Sequence, residues 1–143
     1  MTLEIVEMEA EHLTKLLAVC PIDSVSRETM AKAYFSAGSA AYCLLSDGEP
    51  VFAGGIVNLQ WSRGEAWILP TPFFKKHLKT CFQTLKRMLP EVAARCHFRR
   101  VQAVCSVALA ETLFAHLGFE YEGSLRYFGP SGERCKMFSR IFL

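Results

Sequence analysis

The chain has no apolar run approaching the ~18 residues that a membrane-spanning helix needs, so no membrane association is expected. Its first residues carry neither a basic n-region nor an apolar h-region, and no secretory leader is expected. There is no C-x-x-C pair, and the four histidines (His12, His77, His97, His116) are scattered. Cys96 and His97 are adjacent, a poor spacing for two ligands of one zinc ion, so no metal is expected. No internal repeat, linker or low-complexity tract interrupts the sequence. Neither charge sign dominates: 16 Lys and Arg stand against 14 Asp and Glu, a net charge of +2.

What is present is the mix of an ordinary globular protein. The 143 residues are 51% hydrophobic and 21% charged, which excludes disorder. The length predicts a single domain, residues 1–143, that builds its own core without staples. The 6 cysteines are therefore read as reduced, structural thiols of a cytoplasmic protein, because free cysteine behaves as a small buried hydrophobe. The small net charge conceals an asymmetry. Glu4, Glu7, Glu9, Glu11, Asp23 and Glu28 face only Lys15 and Arg27 in the first 30 residues. Between residues 75 and 100, Lys75, Lys76, Lys79, Lys86, Arg87, Arg95, Arg99 and Arg100 face only Glu91.

The hydrophobic pattern predicts alternating elements. Leu3–Met8 alternates as a strand. Leu13, Leu16, Leu17 and Cys20 have helical spacing, and Pro21 ends that helix. Ser24 or Ser26 caps a second helix that stops at Gly38. Ala40–Leu45 and Pro50–Gln60 are strands joined at Asp47–Gly48, a hairpin signal. Ser62-Arg63-Gly64 turns into a fourth strand, Glu65–Leu69. After Pro70-Thr71-Pro72, with Thr71 as a cap, one helix carries Phe74, Leu78, Cys81, Phe82, Leu85 and Met88 on one face. Pro90 interrupts it, with a short helical piece beyond. Arg99–Val107 alternates, with Val101, Ala103, Cys105 and Val107 on one side. Ala108–Leu117 is a helix stopped by Gly118. Phe119–Phe128 and Arg134–Phe142 are the last strands. The order β-α-α-β-β-β-α-β-α-β-β predicts an α/β (α+β) fold: a mixed, mostly antiparallel sheet with helices on both faces.

That order, with Leu113-Phe114-Ala115-His116-Leu117-Gly118-Phe119, resembles the GNAT superfamily of acetyl-CoA-dependent N-acetyltransferases. Ala110, Leu113, Gly118 and Phe119 match the A-x-x-L-Y-x-x-x-G-F pattern of its last helix, and Pro50–Ile56 looks like its third strand. The chain also resembles a phage-associated branch of the fold, which includes small internal virion proteins of short-tailed phages. The strand end Trp67-Ile68-Leu69-Pro70-Thr71 and the segment Tyr121–Gly132 carry that likeness.

The resemblance implies acetyl-CoA as cosubstrate and a small-molecule or peptide amine as acceptor, with virion proteins as partners in the phage branch and a virion-associated location as the alternative to the cytoplasm. Nucleic acid is not expected, because no binding motif accompanies the basic segment. Some members pair or exchange their C-terminal strands, so a homo-oligomer is compatible with the resemblance. Ile68 and Leu69 fall where the family presents backbone groups to pantetheine and to the thioester carbonyl. The family's glycine-rich phosphate loop falls on Pro70–Lys76, which has no glycine and two prolines without N–H donors. Thr71, Phe74, Lys75 and Lys76 are the candidates for the diphosphate there. Lysines act as point charges, and the other reading is a solvated helix face. Phe114 stands where members often place the tyrosine that protonates the thiolate. Val107 stands where an asparagine binds pantetheine. Glu65, at the start of the fourth strand, is the candidate general base; Glu111 and His116 are weaker ones. Tyr127 reads as a core aromatic or as lining for an acceptor pocket, and Gly54–Gly55 as a bulge or a place of close ligand approach. Trp61 and Trp67 flank the turn at Ser62–Gly64 as a partner patch, with Trp67 more naturally core.

Overall fold

The computed structural model describes residues 2–19 and 24–143, with the side chains of 24–28 left aside. The expectations for Cys20 and Pro21, and for the Ser24 and Ser26 side chains as caps, lie outside the described residues. The elements are β1 (Leu3–Glu7), α1 (Ala10–Val19), α2 (Ser24–Tyr34), β2 (Ala40–Ser46), β3 (Glu49–Asn58), β4 (Arg63–Pro70), α3 (Pro72–Lys76), α4 (Leu78–Arg95), β5 (Arg100–Cys105), α5 (Ala108–His116), β6 (Glu120–Leu125) and β7 (Cys135–Ile141). Seven strands form one sheet in the order β1-β2-β3-β4-β5-β7-β6. β4 and β5 pair in parallel, while β1 with β2, β2 with β3, β5 with β7 and β6 with β7 pair antiparallel. The architecture is the mixed, mostly antiparallel α/β sheet that the element order predicts.

Two compact units share the chain. One takes Met1–Asn58 and Ala66–Cys81, the other Leu59–Glu65 and Phe82–Leu143. In the first, Leu13, Leu16 and Leu17 of α1 are buried with Tyr34, Cys43, Ala53 and Leu69. The i, i+3, i+4 spacing of α1 puts its leucines on one face. The β2–β3 hairpin turns at Asp47 (φ 50°) and Gly48 (φ 84°), two positive values in succession, which Asp-Gly tolerates. Asp47 also accepts the Thr2 N–H at 3.0 Å through its carboxylate and donates its own N–H to the Thr2 carbonyl at 2.8 Å.

Gly54 and Gly55 do not form a bulge. They sit in regular register opposite Tyr42 and Ala41, and the shift in this ladder lies at Leu44/Leu45. Gly55 is needed for close packing instead. A Cβ there would lie 2.1 Å from the Ala40 carbonyl oxygen and 2.8 Å from the Trp67 ring. The Trp67 ring in turn stacks on Tyr34, with centroids 3.6 Å apart and an interplanar angle of 11°.

In the second unit, Val101, Ala103 and Cys105 are the buried side of β5. Val107 does not continue that side: it is 57% exposed and occupies the N-cap position of α5. Tyr127 is not a core residue either. It is 89% exposed with φ 51°, beyond the end of β6. Among the described residues, Cys43, Cys81, Cys96, Cys105 and Cys135 are free thiols, and all but Cys96 are buried. Burial pushes the Cys43 and Cys81 thiols up to about 11, which holds both protonated and unreactive at neutral pH. No helix among the described residues is long and apolar enough to cross a membrane.

Candidate functional site

The parallel ladder of β4 with β5 consists of Arg63↔Arg100, Gly64↔Val101 and Glu65↔Gln102, and β4 itself runs on to Pro70. Ile68 and Leu69 lie on that continuation. Leu69 is buried at 5% exposure and Ile68 is half-buried. The Leu69 side chain belongs to the hydrophobic core of the first unit.

The chain then enters α3, only five residues long. The sequence predicts one helix from Pro72 onward with a break at Pro90. The break falls instead at His77 (φ −124°, ψ 41°), which ends α3, and α4 continues without interruption through Pro90. His77 stacks on Phe73 with centroids 4.0 Å apart. Beyond Pro90, Val92 and Ala93 are buried at 4% and 0% exposure. Their burial offsets the ~3 kcal/mol that an interior proline costs a helix.

Thr71 occupies the N-cap position of α3 but makes no side-chain cap bond. Its hydroxyl donates to the Val51 carbonyl on β3, so it pins the strand end rather than capping the helix. Phe74 is a buried anchor, edge-on to Phe52 at 5.4 Å and 82°, and its N–H donates to the Thr71 carbonyl at 2.9 Å. Pro72 has no N–H. Lys75 and Lys76 are exposed and form no ion pair among the described residues. The structure therefore joins Ile68, Leu69, Thr71, Lys75 and Lys76 on one strand-to-helix turn, and it places Phe74 beneath them as support.

Glu65 belongs to the second unit, at the end of a chain of polar contacts across the sheet. Its Oε1 accepts from Gln102 Nε2 at 3.3 Å, and Gln102 Oε1 accepts from Arg100 Nε at 3.4 Å. The Arg100 guanidinium grips Glu122 with two bonds of 2.6 and 2.8 Å, and the Ser139 hydroxyl donates to the same carboxylate. Gln102, Arg100 and Glu122 were missed in the sequence. The signal was present in the polar positions that alternate with Val101 and Ala103.

Arg100 and Ser139 hold the Glu122 carboxyl at about 2, against an ordinary 4.5. The folded state thus gains stability that is complete above about pH 4.5 and is lost as pH falls toward 2. The two side chains are 31% and 38% exposed, and solvent screening limits the pair to about 1 kcal/mol. Glu122→Gln is expected to flatten the acid limb of a pH series of urea unfolding curves. An unchanged limb between pH 5 and 2 refutes the assignment.

Phe114 of α5 is half-buried and packs against Phe119 at 5.5 Å and Phe138 at 5.7 Å. It completes a phenylalanine cluster and offers no proton. Val107 has no polar group to offer at the start of the same helix. His116 is exposed, edge-on to Phe82 at 6.1 Å. Glu111 is tied to Lys136 at 2.6 Å.

No family model matches the chain, and no curated protein sequence matches it. Solved structures do. An acetyltransferase of the GNAT family from Streptococcus pneumoniae is similar with a TM-score of 0.76 at 16% identity, over 99% of this chain and 100% of its own. A point variant of spermidine N-acetyltransferase from Vibrio cholerae gives 0.78 at 14% identity, over 97% and 93%. A ribosomal L7/L12 α-N-protein acetyltransferase in complex with coenzyme A gives 0.78 at 15% identity, over 98% and 94%. The chain therefore has the fold of the GNAT-family acetyltransferases, along essentially its whole length.

Proposed function

We propose that the protein is an acetyl-CoA-dependent N-acetyltransferase acting on a cationic amine. The observation that carries this reading is the strand-to-helix turn at Ile68–Lys76, set in a fold matched from end to end by acetyltransferases. The backbone of Ile68 and Leu69 on β4 is proposed to hydrogen-bond an extended amide-bearing arm. The thioester carbonyl takes an N–H of Ile68 or Leu69 as its oxyanion donor.

The diphosphate end fits the turn in a particular way. With Pro72 lacking an N–H and the Phe74 N–H already bonded, the turn offers fewer backbone amides than a glycine-rich loop would. Lys75 and Lys76 act as point charges. Glu65, oriented by Gln102, accepts the proton of the substrate ammonium. The amine nitrogen forms the new bond to the acetyl carbon, and the thioester C–S bond breaks. As the amide forms, its nitrogen releases a second proton to water, and with Phe114 aprotic the departing thiolate takes its proton from water.

Glu4, Glu7, Glu9 and Glu11 are exposed on β1 and α1 and in the segment between them, and none forms an ion pair among the described residues. Their field favours a cation. A polyamine or a peptide amine meets that requirement, as do the acceptors named for the spermidine and ribosomal-protein enzymes of the same fold.

The test is a thermal melt with and without millimolar acetyl-CoA. Ligand at 100 times its dissociation constant adds about 2.7 kcal/mol. Lys75→Ala with Lys76→Ala is expected to weaken acetyl-CoA about tenfold, the scale of charge-assisted bonds to a phosphate, and to leave the melt without ligand unchanged. No shift in the parent protein overturns the reading.

A second reading is favoured by Phe114 and Val107. It is a binding protein on this fold, with little or no turnover, serving as a component of a phage particle. A melt shift without coenzyme A release, across a panel of polyamines and N-terminal peptides, selects it.

A further inference from the structure

The sequence carries no nucleic-acid motif, but the tip between β3 and β4 has the chemistry of one contact. The Leu59 N–H donates to the Arg63 carbonyl at 3.0 Å, closing a short loop. Inside it, Gln60, Trp61 and Ser62 have φ of 71°, 56° and 60°. None is glycine, and three consecutive side-chain-bearing residues in the left-handed region are strongly disfavoured. This backbone holds Trp61 84% exposed. The Arg63 guanidinium lies 5.1 Å from the indole centroid, so a cation backs the ring and most of it remains in solvent. Arg63 Nε is itself buried with no hydrogen-bond partner.

The loop is fastened to the start of β5. The Ser62 carbonyl accepts the N–H groups of Arg99 and Arg100 at 2.7 and 3.1 Å, and the Arg99 carbonyl accepts that of Phe142 at 2.7 Å. Arg99 and His97 are exposed. Glu122 takes the charge of Arg100, whereas Arg63 and Arg99 have no carboxylate partner among the described residues.

We propose that this tip binds single-stranded nucleic acid, with one base stacked on Trp61 and neighbouring phosphates on Arg63 and Arg99. A rigid indole backed by a guanidinium offers a π-face that every base can use. Two guanidinium groups without carboxylate partners suit phosphate oxygens. The strained loop fixes the backbone that carries Trp61 and the Arg63 contact covers one face of the ring, so less ordering remains to be done on binding. An acidic peptide would engage the arginines and leave the indole in water.

The test is fluorescence anisotropy of an end-labelled short oligothymidylate titrated with the full chain at low salt. Trp61→Ala is expected to weaken binding about tenfold, the effect of one lost base stack, and Trp61→Phe to retain most of it. Arg63→Gln is expected to reduce the slope of log affinity against log salt by about 0.7, one phosphate contact on a single strand. Gln60→Gly relaxes the loop backbone while keeping Trp61, Arg63 and Arg99. It should keep the thermal melt and lose affinity, which separates a binding defect from a folding one. No binding at low salt, or undiminished binding by Trp61→Ala, overturns the proposal. Thymidine monophosphate binding as tightly as the oligomer overturns it in favour of a free nucleotide. Polyglutamate competing on equal terms overturns it in favour of an acidic protein.

Discussion

Glu65→Gln is expected to lower kcat by about 10²–10⁴-fold, the usual contribution of a positioned acid or base, with little change in KM. Glutamine keeps the shape and the contact to Gln102 but cannot accept a proton. The amine must then lose its proton to solvent before it attacks. The deficit should therefore shrink as pH rises toward the ionisation of the amine itself. The measurement is coenzyme A release from acetyl-CoA with a polyamine acceptor, followed as a pH profile for both proteins. Parental kcat in the Glu65→Gln variant would sink the assignment of Glu65 as base. Gln102→Ala removes the group that orients Glu65 and should give a smaller loss, because the carboxylate remains.

Gly55→Ala is expected to destabilise the protein by about 3 kcal/mol, the upper part of the range for overpacking, and to lower Tm by on the order of 10 °C. The added methyl meets the Ala40 carbonyl oxygen at 2.1 Å, the Trp67 ring at 2.8 Å and the Ala41 Cα at 3.0 Å. Two of those neighbours are backbone of the paired strand and cannot turn away. Relief requires β2 and β3 to separate around Ala41↔Gly55, which strains the ladder on either side. Trp67→Leu alone would lose the stack on Tyr34. Combined with Gly55→Ala it should recover little, because the carbonyl is the nearer obstacle. Differential scanning calorimetry of the two single variants and the double settles the point: full rescue by Trp67→Leu contradicts it.

The fold was legible where local chemistry and burial agree. The leucines of α1 repeat at helical spacing, and all three are buried. Asp47–Gly48 announces its own turn, and the alternation of β5 survives residue by residue. Legibility failed where one periodicity ran across two helix axes. Phe74 and Cys81 are buried, but Leu78 between them is 39% exposed, since the chain changes direction at His77. Thr71 looked like a cap because its position is right, yet the partner of its hydroxyl is on β3, about twenty residues earlier in the chain. Tyr127 looked like a strand aromatic because nothing local reveals a positive φ. For the candidate site the sequence offers residue types. Lys75, Lys76 and Glu65 stand out by charge and place. The chain of contacts from Glu65 to Ser139 was hidden, because it depends on strand order and not on spacing along the sequence.

The division of β4 bears on how the protein is made. Residues 63–65 belong to one unit and 66–70 to the other, although they form one unbroken strand. Each unit also draws on two separate stretches of chain. A cut after Cys81 keeps the first unit whole and a cut before Leu59 keeps the second whole, but each such piece also carries a stretch of β4 that belongs to the other unit. During synthesis, neither unit can be completed before the segment past Ala66 has emerged. Only residues 59–65 interrupt the first unit, a short loop that costs little to close, so α1 and the β2–β3 hairpin should begin to assemble while the second unit is still being made.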